Sequence, residues 1–175
     1  MNIRRAKVED APILARIHVD SWQAAYHDIV PDSFLQGFTY SKREEAFRKA
    51  ITDNLEETYL VEDGESTVGI LTIGASRDTD LDAKLTGEIW GIYLAPAYWR
   101  RGIGTLLAEE AERLLHLRGH MAVVLWVLEG NTAARRFYEA VGYLLDGQVK
   151  TVDLGKPLLV VRYHKSLGEK TNRPR

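Results

Sequence analysis

Apolar positions change period several times along the chain, and each change predicts an element. Ile13, Leu14 and Ile17, and farther on Trp22 and Ala25, fall on one side of a helix whose start signal is Glu9-Asp10-Ala11-Pro12. Ile3-Arg4-Arg5-Ala6 ahead of it reads as a short first strand. Asp28-Ile29-Val30-Pro31-Asp32 interrupts the helix, and Asp32 or Ser33 is placed to cap a short helix through Leu35. Ser41-Lys42-Arg43-Glu44 fits a capping box for a further helix running to about Thr52. Apolar runs at Thr58–Val61 and Thr67–Ile73 flank Glu62-Asp63-Gly64-Glu65 and predict a hairpin with an Asp-Gly turn. Ser76 to Thr86, carrying Asp78, Asp80 and Asp82, is polar and reads as a solvated loop.

Glu88-Ile89-Trp90-Gly91-Ile92-Tyr93-Leu94 is rich in β-branched and aromatic residues and predicts a strand that stops before Pro96. Downstream, Ile103, Leu106, Leu107, Ala111, Leu114 and Leu115 recur at helical spacing, with Glu109, Glu110, Glu112 and Arg113 on the other side. That helix ends near Arg118-Gly119, and Met121–Val127 follows as a buried strand. Two more strands, Tyr143–Val152 and Leu158–His164, surround Asp153-Leu154-Gly155-Lys156-Pro157. The sum is a mixed α/β sheet whose antiparallel strands come first.

Between the Glu88–Leu94 strand and its helix lies Tyr98-Trp99-Arg100-Arg101-Gly102-Ile103-Gly104-Thr105. A helix start offers backbone N–H groups without internal partners and partial positive charge, which suits a phosphate. Gly102 and Gly104 allow close approach, and Arg100 and Arg101 can add charge-assisted bonds. A dinucleotide fingerprint needs a third glycine where this chain has Leu107, and no G-x-x-x-x-G-K-[ST] run exists.

Trp99–Gly104 resembles the Q/R-x-x-G-x-G/A pyrophosphate loop of the GNAT superfamily of acyl-CoA-dependent N-acyltransferases, with Trp99 departing from the usual first residue. Asn131-Thr132-Ala133-Ala134-Arg135-Arg136-Phe137-Tyr138-Glu139-Ala140-Val141-Gly142-Tyr143 is similar to that family's N-x-x-A-x-x-x-Y-x-x-x-G-[FY] segment, in the same order. The resemblance implies an α/β (α+β) fold: a mixed, mostly antiparallel sheet of about six to seven strands, flanked by helices and splayed in a V between its two central strands. It also implies acetyl-CoA as acyl donor and a primary amine of a small molecule or peptide as acceptor.

On that basis the coenzyme would be held by Arg100, Arg101, Gly102, Ile103, Gly104 and Thr105 at its pyrophosphate, by Ile92, Tyr93 and Leu94 along the pantetheine, and by Asn131, Ala134 and Tyr138. Tyr138 would be the general acid beside the departing sulfur. Asn131 would bond the pantetheine, cap the following helix, or both. Gly91 permits a bulge that would help splay the strand. Glu88 is the candidate base, directly or through water. Trp22, Tyr26 and Asp28 are candidates for the acceptor pocket, where aromatic rings and a carboxylate can hold a cationic amine. A non-catalytic acyl-CoA-binding regulator is the alternative.

Composition narrows the field further. At 175 residues and 45% hydrophobic content, a single domain over 1–167 with a polar tail over 168–175 is expected. Twenty-three basic against 25 acidic residues give a net charge of −2, without the positive excess that duplex nucleic acid demands. Cysteine is absent, which excludes disulfides and a cysteine-linked acyl-enzyme. His18, His27, His116, His120 and His164 show no metal-ligand spacing and read as surface or cap residues, so no metal is expected. No apolar run has the length of a membrane span, and Met1–Arg5 is not followed by the apolar core of a secretion signal, so a cytoplasmic protein is expected. A homodimer is compatible with the family resemblance.

Overall fold

The computed structural model describes residues 1–168. The expected tail therefore falls almost wholly outside the described residues. Seven strands form one sheet in the order β1-β2-β3-β4-β5-β7-β6. They are β1 (Asn2–Arg5), β2 (Glu57–Asp63), β3 (Ser66–Ala75), β4 (Thr86–Leu94), β5 (Ala122–Leu128), β6 (Leu144–Asp153) and β7 (Pro157–Ser166). Every neighbouring pair is antiparallel except β4 and β5. The helices are α1 (Ala11–Tyr26), α2 (Asp32–Gln36), α3 (Tyr40–Thr52), α4 (Ile103–Leu117) and α5 (Thr132–Ala140).

Period-two alternation sends the strand side chains to two different cores. Leu71, Ile73, Ile89, Val123, Leu125 and Val127 pack with Ile103, Leu107, Ala111 and Leu115 of α4. On the opposite face Leu60 and Ile70 pack with Leu14 and Ile17 of α1 and Phe47 of α3. Fully burying such a side chain contributes about 1.5–3 kcal/mol, so each helix is held mainly by its apolar stripe.

Three local expectations are corrected. The capping box at Ser41 does not form: α3 starts at Tyr40 with Thr39 at its N-cap, so Ser41 lies inside the helix and Glu44 instead accepts from Arg48, 2.8 Å away. Asp32 is the first residue of α2 rather than its cap; Pro31 occupies the cap position, where a ring with no hydroxyl or carboxylate makes no capping bond. The β2–β3 turn is Gly64-Glu65, because Asp63 already pairs with Ser66. Gly64 takes φ 62°, so the turn consumes the glycine one place earlier than an Asp-Gly turn would.

Two irregularities shape the centre of the sheet. Thr72 pairs with Gly91 and Ile73 with Ile89, so Trp90 is the extra residue of a bulge in β4. Beyond it, β4 and β5 part. Their parallel ladder contains only Thr86↔Ala122, Gly87↔Val123 and Glu88↔Val124, although β4 continues to Leu94 and β5 to Leu128. This is the V-shaped splay, with Glu88 at its apex.

Candidate active site

The turn after β4 sets free backbone amides beside two cations. A single 3₁₀ turn at Pro96–Tyr98 ends the strand, Arg100 adopts φ 59°, and Gly102 caps α4 with φ 80°. A left-handed residue that is not glycine is strained, and such strain concentrates at functional sites. The ladder of α4 opens with the Leu106 N–H donating to the Gly102 carbonyl at 3.2 Å, which leaves the amides of Ile103, Gly104 and Thr105 ahead of it. Gly102 has no side chain to occupy them. Arg100 and Arg101 are exposed beside these amides, and the Arg101 guanidinium lies 5.0 Å from the centre of the Tyr98 ring.

The two glycines differ in what they do. Around Gly102 a Cβ would meet nothing within 4 Å, so its requirement is the backbone angle. At Gly104 a Cβ would sit 3.2 Å from the Phe137 ring, so the missing side chain lets α5 close on the start of α4. Trp99 lies where the family pattern has a polar side chain, and its indole N–H donates to the Leu94 carbonyl at 2.8 Å.

From that turn the β4 strand leads back into the splay. Ile92 and Leu94 join the core on the α4 side, while Tyr93 turns to the α1 side. One backbone edge of β4 is paired with β3. The edge facing β5 is released after Glu88 and can accept an extended chain as another strand would.

Helix α5 closes the other side. The Asn131 side chain accepts from the Ala134 N–H at 3.1 Å, which makes Asn131 the N-cap of α5. Ala134 packs against the core on the α4 side, and Tyr138 is buried with its ring 5.7 Å from that of Tyr143. Burial raises the Tyr138 phenol well above its ordinary range, with the phenols of Tyr26 and Tyr93 raising it further. Burial and Tyr93 likewise raise Tyr26, opposed by the Asn131 side chain. Three phenols from α1, β4 and α5 thus share one neighbourhood. All three stay protonated at neutral pH.

Glu88 is brought to the splay as expected, but its carboxylate is engaged. It is 1% exposed, accepts from the Arg77 N–H at 2.9 Å, and forms an ion pair with the Arg77 guanidinium. That guanidinium also lies 4.2 Å from the centre of the Trp90 ring, so the bulge residue and the loop before β4 together hold it over Glu88.

The predicted acceptor residues divide. Trp22 and Tyr26 pack with ring centres 4.7 Å apart on the face where Trp126 of β5 also lies. Asp28 does not join them. It stands on the turn after α1, its side chain 84% exposed and paired with His27 at 2.8 Å, because α1 ends at Tyr26 and the chain turns outward.

Several participants carried no local signal. The loop before β4 is not simply solvated: Asp78 and Asp80 accept from Arg162 of β7 at 3.0 and 2.7 Å. Three residues of β6, Asp146 to Gln148, stand opposite Arg162 in a second bulge, and Asp146 accepts from it at 2.6 Å. The Trp126 indole N–H donates to Asp78 at 2.9 Å. This cluster ties the β3–β4 loop to the far half of the sheet beside the apex of the splay. His18 and His120 are buried rather than on the surface.

A mixed seven-stranded sheet flanked by helices and split between its two central strands is the fold of the acyl-CoA-dependent N-acyltransferases. The model of the acetyltransferase (GNAT) family matches residues 19–143, and the chain belongs to that family of acyl-CoA-dependent acetyltransferases. It is 33% identical over 142 residues to YuaI of Bacillus subtilis, an uncharacterised N-acetyltransferase, covering 80% of this chain and 78% of that one. Its fold matches PaiA N-acetyltransferase of Thermoplasma acidophilum in complex with coenzyme A, with a TM-score of 0.73 at 20% identity over 94% of this chain and 98% of that one. YncA of Salmonella typhimurium with acetyl-CoA matches with a TM-score of 0.71 at 20% identity, over 97% and 95% of the two chains. Among the described residues no helix is long and apolar enough to cross a membrane.

Proposed function

We propose that the protein transfers the acetyl group of acetyl-CoA to a primary amine of a small molecule or peptide by direct attack. The observation that carries this reading is the conjunction at the splay of a released β4 edge, the α4 amides at one end and the protonated Tyr138 at the other. The pyrophosphate binds at Gly102–Thr105 with Arg100 and Arg101, and the pantetheine runs along Ile92–Leu94. Asn131 and Ala134 form the wall opposite.

The amine nitrogen attacks the thioester carbonyl, and the carbon–sulfur bond breaks. Tyr138 gives its proton to the departing thiolate. Glu88 takes the amine proton through water, since Arg77 occupies the direct positions on its carboxylate. No acyl-enzyme is needed, in keeping with a chain that lacks cysteine. Trp22 and Tyr26 wall the acceptor side.

The test is release of coenzyme A thiol when the purified protein meets acetyl-CoA and a panel of amines. Amine-dependent release supports the reading. Tight acetyl-CoA binding with no release from any amine would instead identify a regulator that keeps the donor site without turnover.

A further inference from the structure

Tyr93 folds its ring back along its own strand. A Cβ built on Gly91 would stand 2.4 Å from Cε2, 2.9 Å from Cζ and 3.0 Å from the hydroxyl oxygen of Tyr93, so the far end of the ring lies over Gly91, on the side of the sheet that packs against α1. Gly91 follows the Trp90 bulge and pairs with Thr72, and any side chain there would collide with the ring. The imidazole of His18, itself 6% exposed, is centred 4.2 Å from the ring. Contact with the strand at one end and with a buried helix side chain holds the ring in place.

This ring stands where the splay runs out. β4 and β5 are paired at Glu88↔Val124, and Glu88 is 1% exposed, so the released edge of β4 is closed at its inner end. On the α4 side the two strands present Ile89, Leu125 and Val127, which are buried in the core. The α1 side is left, and above Gly91 it holds the Tyr93 ring. In the proposed function the pantetheine lies along Ile92–Leu94. Its two amides precede the sulfur, so the thioester comes level with Gly91, one strand residue of about 3.3 Å beyond Ile92. An acyl chain extending from there has the closed apex ahead, the core on one side and the ring on the other.

We propose that Tyr93 sets the length of the acyl group: its ring, seated over Gly91, admits acetyl and excludes longer chains. The inference rests on the proposed acetyl transfer and adds the residue that restricts its donor. A fixed apolar wall discriminates by volume, at about 10–200-fold for one methylene. The ring carries the effect, and the hydroxyl is dispensable for it.

The experiment compares acetyl-, propionyl- and butyryl-CoA as donors to one amine, and measures their affinities by calorimetry without amine. For the wild type, kcat/KM is expected to fall by about tenfold or more from acetyl to butyryl, and butyryl-CoA to bind more weakly than acetyl-CoA. Tyr93→Leu, whose side chain lacks the far end of the ring, brings the two donors within about threefold of one another. Tyr93→Phe keeps the wild-type preference. Tyr93→Met puts a flexible chain in place of the ring and relaxes the preference in part, which provides a second variant should Tyr93→Leu fail to fold. Equal use of acetyl and butyryl donors by the wild type, or a preference that survives both Tyr93→Leu and Tyr93→Met, overturns the inference and leaves the proposed transfer standing. If no amine gives turnover, the proposed function falls by itself: an acetyl-over-butyryl order of affinities that is lost in Tyr93→Leu still supports the wall, and equal affinities overturn it.

Discussion

The indole N–H of Trp99 donates to the carbonyl of Leu94 at 2.8 Å, joining the residue that opens the anion turn to the last residue of β4. Trp99 is the one letter that departs from the family's loop pattern. A polar side chain there could face a ligand, whereas this indole faces the protein's own backbone. Its place in the turn is structural, and in the proposed function the donors to the ligand are the amides and the two arginines that follow.

Trp99→Phe keeps most of the ring and removes that donor. Stability is expected to fall by about 0.5–1.5 kcal/mol in urea unfolding, the net size of one intramolecular hydrogen bond. Coenzyme A affinity measured by calorimetry falls in parallel. An unchanged unfolding midpoint refutes the anchoring role.

Gly102→Ala places a Cβ at φ 80°. The backbone penalty is about 1–2 kcal/mol, and relief of it reorients the α4 amides. Coenzyme A binding is expected to weaken more than binding of pantetheine, which lacks the pyrophosphate. Equal weakening of both ligands argues against a pyrophosphate at this turn.

Tyr138→Phe removes the proposed acid and keeps the buried ring. Turnover is expected to drop about 10²–10⁴-fold with little change in acetyl-CoA affinity. The wild-type kcat is expected to show no loss attributable to Tyr138 below pH 10, because burial raises its phenol. Steady-state kinetics across pH with an established acceptor measures both.

His18 has its pKa pushed down from 6.5 to about 3 by burial, with Arg43 adding to the effect. Below pH 6.5 the unfolded chain takes up a proton that the folded chain refuses. Stability from this group is therefore complete above pH 6.5 and declines as pH falls toward 3, by about 1.4 kcal/mol for each pH unit at most. Comparing urea midpoints at pH 7 and pH 5 for the wild type and His18→Gln checks it: the variant should show the smaller decline.

Arg162→Met leaves Asp78 and Asp146 facing one another beside the apex of the splay without their shared cation. Removing one partner of a buried ion pair costs about 3 kcal/mol, and the thermal midpoint is expected to fall accordingly. Lys150, 3.6 Å from Asp78, offsets part of the loss. A midpoint within one degree of wild type excludes the clasp as a stabilising contact.

What could be read from the sequence was local. The Gly102–Gly104 turn, the α4 stripe and the Asn131 cap are set by residues within a few positions of one another, and all three formed where expected. The Ser41 box did not form because a capping box is a weak local preference, and the helix begins one residue earlier, at Tyr40 with Thr39 as its N-cap. The Arg162–Asp78 pair spans 84 positions and His18–Arg43 spans 25, so no spacing rule reaches them. Asp78, Asp80 and His18 look like surface residues until the sheet brings their partners in. Glu88 was visible as a carboxylate on a strand, while the arginine that covers it depended on the Trp90 bulge.

The brevity of the β4–β5 ladder has a mechanical consequence. β1–β4 and β5–β7 are each continuous, and their backbone connection is three residue pairs ending at Glu88. The sheet is thus two groups of strands joined by a short ladder, with α4 packed across both and the Arg162 side chain tying them beside the apex. In the proposed function a donor along the released edge bridges the two groups of strands as masonry fills a joint, so occupancy and rigidity are expected to rise together. Amide hydrogen exchange at Ile89–Leu94 and Leu125–Leu128 then becomes a gauge of saturation, falling as coenzyme is added while exchange in β2 and β3 stays constant.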